Sequence, residues 1–220
     1  MTTADAAERL GVSQRQVQRL IGAGELAGSR TAGDAWVVDA LTVNAMARAR
    51  PDRGRPWMPE TAWAALWQLS GLDVEWLAPR AASRLAQRLK EMSPEALVHA
   101  CRRRATTHRY RVSESFLIEF RTAVVLSGTS AMTAATFGMG ADLTSPDGYC
   151  ATEALTRMVH DFHLVEDARG NATIRAAALR SLPIDGRKAM PVAVVAADLA
   201  ESLEARERSA GLRVLEGLLR

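Results

Sequence analysis

Two short runs near the start of the chain carry apolar residues at helical spacing. In TTADAAERLG, Ala6, Ala7 and Leu10 fall on one face. Thr2 or Thr3 stands where a hydroxyl can accept from the first free amides, and Gly11 ends the run, since left-handed backbone costs little without a side chain. Val12 points back toward a small core. Ser13 caps a second run whose apolar positions are Val17, Leu20 and Ile21. From Gly22 to Asp39 the pattern changes to Leu26, a turn at Arg30-Thr31-Ala32-Gly33-Asp34 and a strand at Trp36-Val37-Val38. Ala40 to Ala49 is a predicted helix, with Leu41, Met46 and its alanines placed to pack on that strand pair.

The stretch RARPDRGRP, Arg48 to Pro56, holds two prolines, a glycine and four arginines, which suits a linker better than a helix. Beyond it Pro59 opens a helix with Trp63, Leu66, Trp67 and Ser70 on one stripe, closed by Gly71; Trp76 follows as a packing anchor. Pro79 opens another, with Leu85, Leu89 and Met92 inward and Arg80, Arg84, Arg88 and Lys90 outward. Ser93-Pro94-Glu95 starts a third that reaches Arg102-Arg103-Arg104. His108 to Val112 alternates as a strand, SESFLIEFRT is a helix with Phe116, Leu117 and Phe120 inward, and Val124 to Leu126 is a strand. Ser127 to Ser130 turns that strand into a helix AMTAATFG, and Asp147 to Ala151 is a strand. Thr152 caps a helix with Leu155, Met158, Val159 and Phe162 inward. Leu164 to Asp167 and Asn171 to Ala178 are expected to pair as a hairpin across Arg169-Gly170. The last unit begins at Pro191 and ends in a helix with Leu212, Leu215, Leu218 and Leu219 as its stripe.

This is an α+β pattern. We divide it into a winged helix-turn-helix at 1–50, a basic linker at 51–58, a helical block at 59–105 and an α+β domain with short strands at 106–220. An apolar content of 48% supports real cores, and the formal net charge of +3 makes any polyanion site a matter of local clustering. Such clustering exists: between Arg80 and Arg111 only Glu91 and Glu95 oppose a dense basic run, flanked by His99 and His108, which read as surface residues. Cys101 and Cys150 lack metal-site spacing and read as buried thiols. Without a basic start leading into an apolar run, or a long apolar segment, we expect a cytoplasmic protein.

The second short run gives the sharpest chemistry. Away from its apolar positions it presents Gln14, Arg15, Gln16, Gln18 and Arg19, all long, polar or basic, with no acid among them. Such a face suits phosphates and base edges. Two short helices joined by a tight Leu-Gly-Val-Ser turn, then a strand-turn-strand wing, make the pattern of a helix-turn-helix. A solvated helical hairpin is the plainer alternative. The segment resembles the excisionase-like and MerR-like winged helix-turn-helix families. That resemblance implies double-stranded DNA as partner, with Ser13, Gln14, Arg15, Gln18 and Arg19 at the major groove and Arg30 on the wing. Arg53 and Arg55 of the linker can follow the phosphate backbone, and Arg84, Arg88, Arg102, Arg103 and Arg104 form a possible second basic patch.

The order of later pieces, with GRPW, HRYR, LSGTSA, DGYCA, GNATIR and AVVAADLAES followed by RERSAGL, resembles the AbiEi-type antitoxins of type IV toxin–antitoxin systems. The resemblance implies an antitoxin-like second half. It implies a transcriptional autorepressor that binds operator repeats of its own operon, and a nucleotidyltransferase toxin, encoded alongside, as functional partner in phage defence. The interposed block from Trp57 to Arg104 departs from that pattern. An interaction protein that sequesters a toxin is the alternative. An enzyme is not expected: VVLSGTSAM resembles the phosphate-holding start of nucleotidyltransferases, but Asp142 and Asp147 do not make the paired carboxylates that divalent metal requires. Ser127 and Ser130 lack a nucleophile elbow, and His160 with His163 lacks a third ligand, so neither metal nor cofactor is expected.

Overall fold

The computed structural model describes residues 1–23, 25–30, 36–48, 55–178 and 186–220, the side chains at 45 and 48 aside. Helices and short strands mix throughout, an α+β fold. The chain divides into two compact units, Met1–Gly54 and Arg55–Arg220.

In the first unit, α1 (Thr3–Leu10) and α2 (Gln14–Gly22) precede two strands, β1 (Gly28–Arg30) and β2 (Trp36–Val38), and a helix α3 (Ala40–Arg48). Local signals fix the pair of helices. The Thr2 hydroxyl accepts from the Asp5 amide while the Asp5 carboxylate accepts from the Thr2 amide, a capping box. Those Thr2 donors hold the Asp5 carboxyl below its usual range. Gly11 adopts φ 53°, and Val12 N donates to Ala7 O, the six-to-one bond of a Schellman end. Ser13 then caps α2 through the Gln16 amide. Ala6, Ala7, Leu10, Val17, Ile21, Leu26, Val38 and Val43 form the core, with Met46 packed against it. Leu41 points to solvent instead, because α3 turns Val43 inward. The expected wing turn from Thr31 to Asp34 lies outside the described residues, as does Arg53.

The second unit opens with α4 (Pro59–Leu69), α5 (Pro79–Leu89) and α6 (Pro94–Cys101), each started by proline in its first turn, where the missing amide is no loss. Strand β3 (Thr106–Arg111) follows, then a 3-10 turn Glu114–Phe116, α7 (Leu117–Ala123), β4 (Val125–Leu126), α8 (Gly128–Ala131) and α9 (Ala134–Phe137). The chain continues as β5 (Asp147–Ala151), α10 (Thr152–Asp161), β6 (Val165–Glu166), β7 (Ala172–Ala177), α11 (Val192–Ala200) and α12 (Ala205–Leu219). The single helix expected over 131–138 is broken: Met132 is extended and buried, and Thr133 re-caps α9 through the Thr136 amide. Thr152 begins α10 without a capping hydrogen bond from a side chain.

Five strands form one sheet in the order β4-β5-β7-β3-β6, with β5 and β7 parallel and the other neighbours antiparallel. The expected hairpin of β6 with β7 does not form. Strand β3 lies between them, pairing Tyr110 with Glu166 on one side and Ala172 on the other. The turn joining them passes around the end of β3, where Gly170 packs so closely that a Cβ would sit 2.2 Å from the Tyr110 carbonyl oxygen.

Because strand side chains alternate, the sheet has a core on each face. One holds Tyr110, Phe120, Cys150, Met158, Phe162 and Ile174. The other holds Tyr149 and Ala177 of the sheet with Trp63, Leu66, Leu97, Val194, Leu199 and Leu215 of the helices. Helices α4 to α6 therefore share one core with α11 and α12, and residue 105 is not a domain boundary. His99, expected at the surface, is buried on α6.

Candidate nucleic-acid interface

On α2, Val17 and Ile21 turn into the core, and Leu20 packs against it. At about 100° per residue, the exposed Gln14, Gln18, Arg15 and Arg19 then cover a continuous outer arc of about 140°. All four lie in the first six residues of the helix, the part that a recognition helix offers to base edges. None is engaged in a side-chain hydrogen bond or ion pair with a described residue. The arc is thus an array of donors, with two amides that also accept, and among the described residues no carboxylate is bonded to it. Ser13 is exposed but is occupied in capping α2. Across α1, the Arg9 guanidinium is tied to Asn44 of α3 at 2.7 Å, which braces the first helix against the third.

Arg30 ends β1, exposed, with its guanidinium 5.0 Å from the centre of the Trp36 ring across the two-stranded wing. A guanidinium over an aromatic face is attracted by the ring and held in place there. Arg55 is exposed at the start of the second unit.

The second patch does not survive as expected. Arg84 and Arg88 on α5 are exposed, as is Arg103, and Arg102 is half-buried. Arg104 is 3% exposed and cannot reach a ligand at the surface. Helix α6 ends at Cys101, and the turn that follows aims Arg104 into the interior, where it meets acids of α11 and the residue after it. Its Nε donates to the Tyr149 hydroxyl at 2.9 Å and Nη1 to the Cys101 carbonyl at 3.0 Å. Both Nη atoms donate to Glu201 at 3.0 Å, and Nη2 also pairs with Asp198.

Asp198 is the centre of this buried network. Its carboxylate also accepts from the Ser127 hydroxyl and, at 2.8 Å, from the Tyr149 hydroxyl. Arg175 Nε lies 3.1 Å from it, close enough for charge attraction but misaligned for a hydrogen bond. Arg175 Nη1 pairs with Asp147. Burial opposes a charge on Asp198, yet Arg175 and Arg104, with the Ser127 hydroxyl, hold its carboxyl below the usual range. Burial likewise opposes the charge on Arg104, but Glu201 and Asp198 hold its guanidinium well above its ordinary value. Burial wins at Arg175, lowering it from a very high starting value. Tyr149 is kept neutral chiefly by burial.

This network absorbs the strand–turn–helix that resembles a phosphate-holding start. Ser127 stands before α8, but its hydroxyl goes to Asp198 and does not cap the helix. Gly128 has φ 46°, and a Cβ there would sit 2.0 Å from a carboxylate oxygen of Asp147. Ser130 accepts from the Asp147 amide at 2.9 Å. Asp142 instead holds a turn, accepting from Thr144 and Ser145. Nothing local marked Asp198 as the partner of Arg104, although a lone carboxylate inside eight consecutive buried residues, Ala193 to Ala200, is a signal that a buried cation must be near. His160 bonds the adjacent Asp161 at 3.1 Å and His163 packs against Phe116. Among the described residues no group of three or more His, Cys, Asp or Glu is placed to hold a metal ion, and no helix is long and apolar enough to cross a membrane.

No curated protein and no solved structure matches the chain. A family model described as a helix-turn-helix domain matches residues 1–51, so the stretch that forms the first unit is a helix-turn-helix domain, an element that points to DNA binding.

Proposed function

We propose that the protein is a sequence-specific, duplex-DNA-binding repressor of its own operon, reading the major groove with α2. The carrying observation is the acid-free outer arc of Gln14, Arg15, Gln18 and Arg19, exposed at the start of a helix whose other face is core. Arg30 on the wing and Arg55 after the first unit contact phosphates. A base-reading contact contributes about 1–3 kcal/mol, so Arg15→Ala with Arg19→Ala weakens binding by about thirty-fold or more. Fluorescence anisotropy with the promoter duplex of its own gene measures this. If the double variant, still folded, binds as tightly as wild type, α2 is not the reading helix.

The antitoxin role is our reading of the second unit. It rests on the resemblance of its order of pieces to AbiEi-type antitoxins, with a nucleotidyltransferase toxin as functional partner. Co-expression with a nucleotidyltransferase encoded alongside tests it: growth is rescued by wild type and by the Arg15/Arg19 double variant alike. No rescue removes the antitoxin reading and leaves DNA binding untouched. Co-purification of the two proteins would favour sequestration by contact. We assign no catalysis, because Asp147 is engaged with Arg175 and Asp142 with its own turn.

A further inference from the structure

The structure assigns a second polyanion contact to the second unit: we infer that α5 lays Arg80, Arg84 and Arg88 along the phosphate backbone of the duplex that the first unit reads. This extends the DNA-binding reading and depends on it. The three arginines recur every four residues and are all exposed, while Leu85 and Leu89 on the opposite side enter the core. Four residues of helix rise about 6 Å, so the guanidiniums form a row of about 12 Å that drifts slowly around one face. From Pro79 to Lys90 there are four cations and no acid, against a formal net charge of +3 for the whole chain. The remainder of the molecule is thus close to neutral in formal charge, and α5 carries a local excess of positive charge.

Several other arginines of this unit are spoken for. Arg104 and Arg175 are buried in the ionic centre, and Arg111 pairs with Asp167. Arg121 donates to Ser130 and the Asp142 carbonyl, and Arg208 to the carbonyls of Ser202 and Leu203. Arg80 and Arg84, by contrast, have no ion-pair or hydrogen-bond partner among the described residues, and with Pro79 and Ser83 they form a shallow, open patch of surface. Arg88 is held over the Trp57 ring at 5.1 Å, and Trp57 is anchored by its amide to the Ala100 carbonyl at 2.8 Å. That end of the row therefore stands beside the residues with which the second unit begins, where Arg55 is also exposed. An array of uncompensated guanidiniums, fixed on a rigid helix and lacking an exposed aromatic interleaved along it, suits phosphates and carries no base-reading geometry. Duplex DNA is the favoured occupant because a DNA-reading domain on the same chain raises its effective concentration at this surface.

The test uses the full chain with two duplexes, the promoter of its own gene and a scrambled sequence, titrated across a range of KCl. Each phosphate contact contributes about 0.9 to the slope of log K against log salt, so Arg80→Ala/Arg84→Ala/Arg88→Ala flattens the slope by about 2–3 on both duplexes and leaves their affinity ratio unchanged. Lysine at all three positions restores the slope. Arg80→Ala/Arg84→Ala spares the Trp57 stack and flattens the slope by about 2, which keeps the test valid if the triple variant is unstable. Folded variants with the wild-type slope overturn the proposal. So does loss of affinity for a structured RNA of similar length with DNA binding intact, since that assigns the row to RNA. The Arg15/Arg19 variant separates the two readings: it collapses the ratio between duplexes and keeps the contribution of α5 to the slope. A ratio that does not collapse counts against α2 alone.

Discussion

Replacing Arg104 with methionine removes a buried charge and retains most of the volume. Arg104 satisfies the Cys101 carbonyl, the Tyr149 hydroxyl and both oxygens of Glu201, and it pairs with Asp198, all on the helical side of the sheet. Breaking one side of a buried ion pair costs about 3–5 kcal/mol, because the partner is left charged and uncompensated. Here Arg175 remains 3.1 Å from Asp198, and Glu201 is 30% exposed and can turn to water. The lower end, about 3 kcal/mol, is therefore expected, a fall in Tm of about 6–12 °C for a unit of this size. Tryptophan fluorescence during urea or thermal unfolding reads it, since Trp57, Trp63, Trp67 and Trp76 all lie in the second unit and Trp36 alone in the first. Arg104→Lys keeps a charge but not the fork that serves acceptors on four residues, and falls between. A methionine variant within about 1 kcal/mol of wild type would refute the reasoning, for that is the scale of an exposed pair.

Two further outcomes follow from the same interior. Asp198 has a folded pKa held down by its arginines, so its stabilisation is present above the unfolded carboxylate value and is lost as pH falls below about 4 toward the folded value. Asp198→Asn is less stable at neutral pH and its urea midpoint falls less steeply through that acid window; an unchanged acid limb would sink the assignment. Cys101 and Cys150 are buried, with burial pushing their thiols up to about 12 and about 11, so both resist alkylation at neutral pH in the native state. Labelling that keeps pace with loss of tryptophan signal is expected, and rapid labelling of the folded protein would contradict the packing.

How far the sequence foretold the structure differs between the two units for a physical reason. In the first, each signal is local: Thr2, Gly11 and Ser13 act within a few residues of themselves, so the helix pair and the outward face of α2 were legible. In the second, the decisive contacts are distant. Arg102, Arg103 and Arg104 look alike in a basic run, and only a carboxylate 94 residues away distinguishes the last of them. Strand partners escape a local reading for the same reason, since β6 and β7 are neighbours in sequence but each pairs with β3, some 60 residues earlier. The break in the helix after Ala131 depends on burying Met132, which periodicity alone does not reveal.

The late position of α11 has a consequence for biosynthesis. Arg104 and Ser127 leave the ribosome before Asp198, and Arg104 is a cation whose carboxylate partners, Asp198 and Glu201, both come about 95 residues later, whereas Arg175 already has Asp147. The nascent second unit must keep Arg104 hydrated until its last two helices arrive, whereas the first unit has its entire core within the opening 54 residues. Translation thus delivers the helix-turn-helix as a finished module while the rest of the polypeptide is still waiting for Asp198 and Glu201.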